Sequence, residues 1–218
     1  MKAVIVANGE HAPADSGALA NAELIIAADG GAEWLDARGI APHIAVGDMD
    51  SADPALIERL AGDRVAIERH PGDKDASDLE LGVAAATNVG ADDIVVLGAL
   101  GGALDHLLAN VLLLGSSALA GRAIRLVQGA TSVRLLTGPA EAELEGPTGS
   151  RVSLLAVGPA ASGVTTQGLR WTLSDDRLEL GSSRGLANVV EAVPARVWLD
   201  DGLLLVIESS DREAGGAP

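Results

Sequence analysis

Apolar residues in the first 130 positions fall into short continuous runs separated by longer mixed stretches. The runs Ala3–Ala7, Leu24–Ala28, Ile44–Val46, Val65–Glu68, Ile94–Leu97 and Ile124–Val127 predict β-strands buried on both faces, as in a parallel sheet. Between them, the spacing predicts helices near 17–22, 31–38, 54–61, 77–89 and 103–119. This strand–helix alternation predicts a doubly wound, mainly parallel α/β domain over residues 1–130. In such a domain ligands bind at the carboxyl ends of the strands. The most apolar stretch, Leu107 to Gly121, contains Asn110, Ser116 and Ser117. It is shorter than the roughly 20 residues a bilayer span needs and predicts a buried helix.

From about residue 131 the pattern changes. Short runs recur at Ser132–Leu136, Ser150–Val157, Gly163–Thr166, Val193–Leu199 and Leu203–Glu208. Turn signals separate them: Gly138-Pro139, Gly146-Pro147, Gly158-Pro159, Asp175-Asp176 and Asp200-Asp201-Gly202. No helix-length period is evident, so residues 131–218 predict a small all-β sandwich domain. The polar tail from Asp211 reads as a frayed end.

Composition narrows the chemistry. Hydrophobic residues make up 48% of the 218, but the only aromatics are three Trp, so the core must be aliphatic. Lys and Arg number 15 against 31 Asp and Glu, a net charge of −16, and the only lysines are Lys2 and Lys74. A protein that grips a nucleic-acid backbone needs a basic stripe, which argues against nucleic acid as a partner. Phosphates would have to be held through metal ions and backbone amides. With no cysteine, disulfides, thiolate catalysis and cysteine-based metal sites are excluded. Only five apolar residues follow Met1-Lys2 before Asn8-Gly9, too few for a signal-peptide core. The expectation is a soluble cytoplasmic protein with no membrane partner.

Four acidic or glycine-rich loops carry the candidate chemistry. The first, Asp29-Gly30-Gly31, joins a strand to a helix, where glycines allow close approach and helix N–H groups face an anion; a plain capped turn is the other reading. The second is Gly47-Asp48-Met49-Asp50-Ser51. In extended backbone Asp48 and Asp50 share a face. A hard divalent cation would relieve their repulsion, and Mg²⁺ is commonly held by one or two carboxylates plus substrate phosphates. The alternative is a solvated turn. The third runs from Gly72 to Glu80. Ser77 and Glu80 form a capping box, and Asp78 suits a first helical turn. Asp73, Asp75 and Lys74 exceed what one cap requires. The fourth, Gly98 to His106, places Asp105 and His106 at a helix start, with His106 a base or a structural histidine. Each loop follows a predicted strand, so all four should meet at one edge of the sheet. There is no P-loop and no Gly-x-Gly-x-x-Gly fingerprint. Metal-dependent chemistry on a polyphosphate fits this inventory.

The segments Ala28–Ala32, Gly47–Ser51, Asp73–Glu80 and Gly101–His106 resemble, in order, the motifs of the thiamine pyrophosphokinase family. Thr165–Leu173 is similar to that family's β-domain signature, and Gly181–Asn188 to its substrate-contacting segment. The resemblance implies a homodimer that moves a pyrophosphoryl group from ATP to thiamine with Mg²⁺ and releases AMP. It implies that Asp48, Asp50 and Asp75 hold the metal, with Asp78 and Asp105 near the phosphates. Asp29, Gly30, Gly31, Ser51, Lys74, Gly101, Gly102 and His106 would contact ATP. Trp171, Ser183, Arg184 and Asn188 would contact thiamine in a cleft between subunits. A cationic aromatic substrate suits a Trp face and an acidic mouth, although a core tryptophan is the other reading of Trp171. Two positions depart from the family pattern: Ala103 stands where Arg is usual, and Ala187 where Ser is usual. Two alternatives stay open, a related pyrophosphokinase acting on another hydroxymethyl heterocycle and a non-catalytic nucleotide or thiamine-diphosphate sensor.

Overall fold

The computed structural model describes residues 1–49, 53–73 and 75–210. The chain divides into two compact units, Met1–Gly129 and Ala130–Pro218. In the first unit the strands are β1 (Lys2–Val6), β2 (Leu24–Ala28), β3 (Ile44–Gly47), β4 (Ala66–Arg69), β5 (Asp93–Leu97) and β6 (Ala123–Gln128). The helices are α1 (Gly31–Asp36), α2 (Pro54–Gly62), α3 (Asp78–Asn88) and α4 (Leu104–Leu113). The strands run in the order β6-β5-β1-β2-β3-β4, and every pairing is parallel.

Both faces of this sheet are covered at its centre, which is why β1, β2 and β5 are almost wholly apolar and buried. Val4, Val6, Ala27 and Ala45 pack on one side with Ala32 and Leu35 of α1 and Leu56 and Leu60 of α2. Ile5, Ile26 and Ala28 point the other way, toward Gly82 of α3. Gly82 lets α3 pack close to the sheet, since a Cβ there would lie 3.0 Å from Ile5 Cγ2. Local sequence sets the helix starts. Asp53 caps α2 by accepting from Ala55 N at 3.0 Å, with Pro54 in the first turn. Ser77 and Glu80 form the expected capping box on α3, at 3.2 and 2.8 Å.

Two helical expectations need correction. The segment near 17–22 is a 3₁₀ helix over Pro13–Leu19, because Pro13 and Gly17 are poor α-formers and Asp15 turns back to accept from Ala12 N at 2.8 Å. The long buried helix is α4 followed by a separate 3₁₀ turn at Ser117–Leu119, the break falling at Gly115 and Ser116, whose hydroxyl caps the second turn. No residue of α4 is buried, and Leu104, Leu108 and Leu112 are 70, 51 and 62% exposed. Among the described residues no helix is long and apolar enough to cross a membrane.

The second unit contains β7 (Thr131–Thr137), β8 (Ala140–Leu144), β9 (Arg151–Ala156), β10 (Ala160–Gln167), β11 (Asp176–Glu179), β12 (Asn188–Val189), β13 (Ala195–Leu199) and β14 (Leu203–Ser209). One antiparallel set runs β12-β9-β14-β7 and another β11-β10-β13-β8. Their inner faces share an aliphatic core that includes Val152, Leu154, Val164, Val197, Leu204 and Val206. The burial alternates along β9 and β13, the period-2 signature of strands with one face inward. Three strands had no apolar run to announce them. β8 reads Ala-Glu-Ala-Glu-Leu, β11 carries one leucine, and β12 spans only Asn188–Val189. The buried carboxylate of Glu208 is satisfied by Arg134 Nη2 at 3.0 Å and by the backbone N–H groups of Glu145 and Gly146 at 2.7 and 3.2 Å.

Candidate active site

The carboxyl ends of β1, β2 and β5 and the first turns of α3 and α4 enclose a cleft of about 350 Å³. That volume suits a small molecule. β1 contributes Ala7, Asn8 and Gly9, and β2 contributes Ala28 and Asp29. Ser77, Asp78 and Leu79 enter from α3. Gly98, Gly101, Gly102, Ala103, His106 and Asn110 enter from the β5–α4 segment. Three of the four loops singled out in the sequence therefore meet here, and the fourth adjoins them. A Cβ at Gly47, which ends β3, would lie 3.1 Å from Asp78 Oδ1 and 3.3 Å from Asp29 Cα.

Asp29 adopts a left-handed backbone (φ 47°), and Asn8 Nδ2 donates to its Oδ2 at 3.2 Å. Gly30 lies under the Asn8 amide, where a Cβ would sit 2.0 Å from Oδ1. Gly31 opens α1 against the Val6 carbonyl. Asp78 is half-buried at the first position of α3, with Ser77 as the cap. Asp48 is half-buried just past β3. Met49 beside it is left-handed (φ 58°) and buried, so the chain turns there instead of running on extended. Asp75 is exposed, and Asp105 is exposed with its Oδ1 accepting from His106 N at 2.9 Å. Asp50, Ser51 and Lys74 lie outside the described residues.

Electrostatically the cleft is unusual for a site that would take polyphosphate. Its lining carries two carboxylates and His106, and no lysine or arginine among the described residues. Lys2 is engaged elsewhere, its Nζ donating to the carbonyls of Ala18 and Ala20 at 3.3 and 3.2 Å. What the cleft offers an anion is the amino ends of α3 and α4. The start of α4 has no side-chain cap at Ala103. Among the described residues no group of three His, Asp or Glu side chains is placed to hold a metal ion. The carboxylates that border the cleft and the Gly47–Asp48 turn offer only oxygen donors, the set that suits a hard cation.

The residues expected to meet the acceptor lie in the second unit. Trp171 is 57% exposed, which excludes the core-tryptophan reading. Its backbone is pinned at both groups by Asn188, whose Oδ1 accepts from Trp171 N at 3.1 Å and whose Nδ2 donates to Trp171 O at 2.7 Å. Asn188 is buried, and its Oδ1 also accepts from Val189 N at 2.8 Å. The Arg170 guanidinium lies 5.5 Å from the Trp171 ring. Ser183 is exposed, while Arg184 pairs with Asp176 Oδ1 at 2.7 Å. Ala187 is left-handed (φ 56°), and its N–H donates to Ser153 Oγ at 3.0 Å.

Residues 16–126 match the family model described as thiamin pyrophosphokinase, catalytic domain. The chain belongs to the thiamine pyrophosphokinase family. Residues 141–204 match the model for the vitamin B1 binding domain of thiamin pyrophosphokinase. Thiamine pyrophosphokinase from Bacillus subtilis is 28% identical over 86% of this chain and 88% of its own. Thiamine pyrophosphokinase 1 from Oryza sativa is 31% identical over 76% of this chain and 66% of its own. The crystal structure of the Bacillus subtilis thiamine pyrophosphokinase superposes with a TM-score of 0.85 at 27% identity, covering 97% of this chain and all of that one. Within this thiamine pyrophosphokinase framework, the cleft residues that sequence reasoning passed over are Asn8, Gly9 and Asn110. The Asn8-Gly9 pair was visible as a turn signal ending the first strand. Asn110, which donates to Ala99 O at 3.1 Å, sits in a helix where nothing in the local pattern marks it.

Proposed function

We propose that this protein is a thiamine pyrophosphokinase that transfers a pyrophosphoryl group from ATP to the hydroxyl of thiamine. The products are thiamine diphosphate and AMP. The observation that carries the reading is the ordered pair of domain matches, catalytic over 16–126 and vitamin B1 binding over 141–204. The thiamine hydroxyl oxygen bonds to the β-phosphorus of ATP, the bond from that phosphorus to the oxygen it shares with the α-phosphorus breaks, and the hydroxyl proton passes to solvent. Residues 1–130 are the ATP domain and 131–218 the thiamine domain.

In this reading the Gly-rich β5–α4 loop and the amino ends of α3 and α4 receive the phosphates in the cleft. Asp29, Gly30, Gly31, Gly101, Gly102 and His106 bound the nucleotide, together with Ser51 and Lys74. Asp48, Asp50 and Asp75 hold Mg²⁺, and Asp78 and Asp105 stand by the phosphates. When bound, Mg²⁺ neutralises the charge that builds on phosphoryl oxygens. Among the described residues the cleft lining has no Lys or Arg to share in that neutralisation. Asn8 holds the Asp29 carboxylate in place. In the second unit Trp171 provides the thiamine platform, Ser183 and Arg184 border it, and Asn188 fixes the Trp171 backbone.

Trp171→Ala should raise the thiamine KM by about 5- to 150-fold, equivalent to roughly 1–3 kcal/mol of stacking, with the ATP KM unchanged. Steady-state kinetics in the two substrates checks this, and the melting temperature should hardly move because the side chain is exposed.

The proposed assembly is a cytoplasmic homodimer with the active site at the subunit interface. The exposed Leu104, Leu108 and Leu112 stripe supports a dimer, since it is contiguous and apolar in a chain of net charge −16. Leu108→Glu leaves helix propensity nearly intact and buries no charge in the monomer. Sedimentation should show a dimer for the parent and a monomer for this variant. The deciding assay for function is AMP formation with ATP, Mg²⁺ and thiamine. AMP only with another hydroxymethyl heterocycle, or ligand binding without AMP, would overturn the reading.

A further inference from the structure

His11 lies between β1 and the 3₁₀ helix, and no role in the proposed chemistry uses it. Its side chain is only 7% exposed. Nε2 lies 3.0 Å from the carbonyl oxygen of Ala7. A carbonyl only accepts, so Nε2 carries the proton and Nδ1 of the neutral ring holds a lone pair. Nδ1 is buried without a hydrogen-bond partner among the described residues. The ring stacks on Trp34 of α1 with centroids 4.5 Å apart. Its edge fills the space beside Gly98, where a Cβ would come within 2.6 Å of Cε1. The Gly98 carbonyl in turn supports Gly9, at which a Cβ would lie 2.1 Å from that oxygen. Ala7, Gly9 and Gly98 are walls of the cleft. One imidazole thus stands behind the junction of β1 and β5 and ties it to α1.

We propose that His11 is a positioning residue for the nucleotide: its neutral ring holds the ends of β1 and β5 in the receptive arrangement, and protonating it loosens nucleotide binding. The inference rests on reading the cleft as the ATP site. Two charged groups face the ring. Asp15, on the 3₁₀ helix, has its Oδ2 3.9 Å from Nδ1 and accepts from Ala12 N and Gly129 N at 2.8 and 2.6 Å. Arg38, just beyond α1, has its guanidinium 3.8 Å from the Trp34 ring centroid. Burial pushes the His11 pKa down, the Ala7 carbonyl and Asp15 oppose that, and Arg38 adds to it. A proton arriving at Nδ1 needs an acceptor. Asp15 Oδ2 becomes one only if the ring shifts by about 1 Å toward hydrogen-bond distance, which drags on Ala7 and Gly98.

The sign for stability follows from the lowered pKa. As pH falls below about 6.5, the unfolded chain takes up this proton before the native state does. The native state is fully favoured above that pH and loses stability below it, and His11→Phe should flatten that acid slope.

Coupling between sites is reciprocal, so nucleotide that prefers neutral His11 must lower the pH at which His11 titrates. The test is an NMR titration of the four histidine Cε1–H signals in the intact protein. It is run with and without saturating Mg²⁺ and a non-hydrolysable ATP analogue, whose binding is verified by calorimetry. The His11 signal is the one absent from His11→Phe or, if that variant does not fold, from His11→Gln. The expected result is a midpoint about one pH unit lower with nucleotide, matching a tenfold loss of affinity on protonation. His11→Phe, which keeps the stack but loses the donor to Ala7, should raise the ATP KM about tenfold with the thiamine KM unchanged. His11→Gln should recover part of that loss. If the analogue binds and the midpoint does not move, or His11 does not titrate in either state, the inference falls and the cleft assignment stands. If the analogue does not bind at any pH, the cleft assignment fails and takes the inference with it.

Discussion

Asp78→Asn should lower turnover by about 10²–10³-fold while leaving the protein folded, the size of effect seen when one group that stabilises a transition state is removed. The prediction separates two roles for one carboxylate. As the first residue of α3, Asp78 has its charge near the positive end of the helix, which is worth about 0.3–1 kcal/mol. The cap itself is made by Ser77 and Glu80, so it survives the substitution. Ser77→Ala is the matching control: it should cost about 1 kcal/mol of stability and leave more of the activity in place. If Asp78 matters only to the helix, the order reverses, with activity near normal in Asp78→Asn. Melting curves in EDTA and in Mg²⁺ sharpen the contrast. A ligand stabilises only the state that binds it, so Mg²⁺ should raise the melting temperature of the parent more than that of the variant.

Gly31→Ala should be the most destabilising single-methyl change in the first unit. A Cβ there would lie 1.9 Å from the Val6 carbonyl oxygen and 2.6 Å from its carbon. Both are backbone atoms of a central strand, so no side chain can rotate away. α1 must back off β1, which disturbs Asp29 and Asn8 at the cleft as well as the packing of Ala32 and Leu35. Overpacking of this kind costs about 3 kcal/mol, which lowers the melting temperature by roughly 10 °C in a protein of this size. Gly17→Ala, with nothing within 4 Å of its Cβ, should stay within about 0.5 kcal/mol of the parent. Thermal melts of the pair decide whether the glycine is there for close packing.

Those two residues also show what a linear sequence can and cannot disclose. Leu24–Ala28 is a strand end to end because a strand buried on both faces needs an unbroken apolar run. The edge strand β4 was legible too, although its residues are mostly exposed, because Val65 and Ile67 kept a short apolar run. β8 was not: Ala-Glu-Ala-Glu-Leu buries only Leu144, and its place comes from pairing with β13. α4 misled for the opposite reason. Its apolar residues predict burial within the chain, yet Leu104, Leu108 and Leu112 face outward. At the site, the loops after β2, β4 and β5 were readable as strand-to-helix turns, and Gly47 brings the β3 loop beside Asp29 and Asp78. Asn8 was legible only as a turn residue and His11 not at all, since an amide beside Asp29 and an imidazole under Gly98 are facts of tertiary contact. Asn188 sits in a recognisable segment, but that its side chain holds Trp171 by the backbone is also a fact of tertiary contact.

The measurement that bears most directly on the central claim is a product assay with purified protein, ATP, Mg²⁺ and thiamine, resolving AMP, ADP and thiamine diphosphate. The expected result is AMP and thiamine diphosphate in equal amounts, dependent on thiamine and abolished by EDTA. ADP with thiamine monophosphate, or no thiamine-dependent AMP from folded protein, would contradict it.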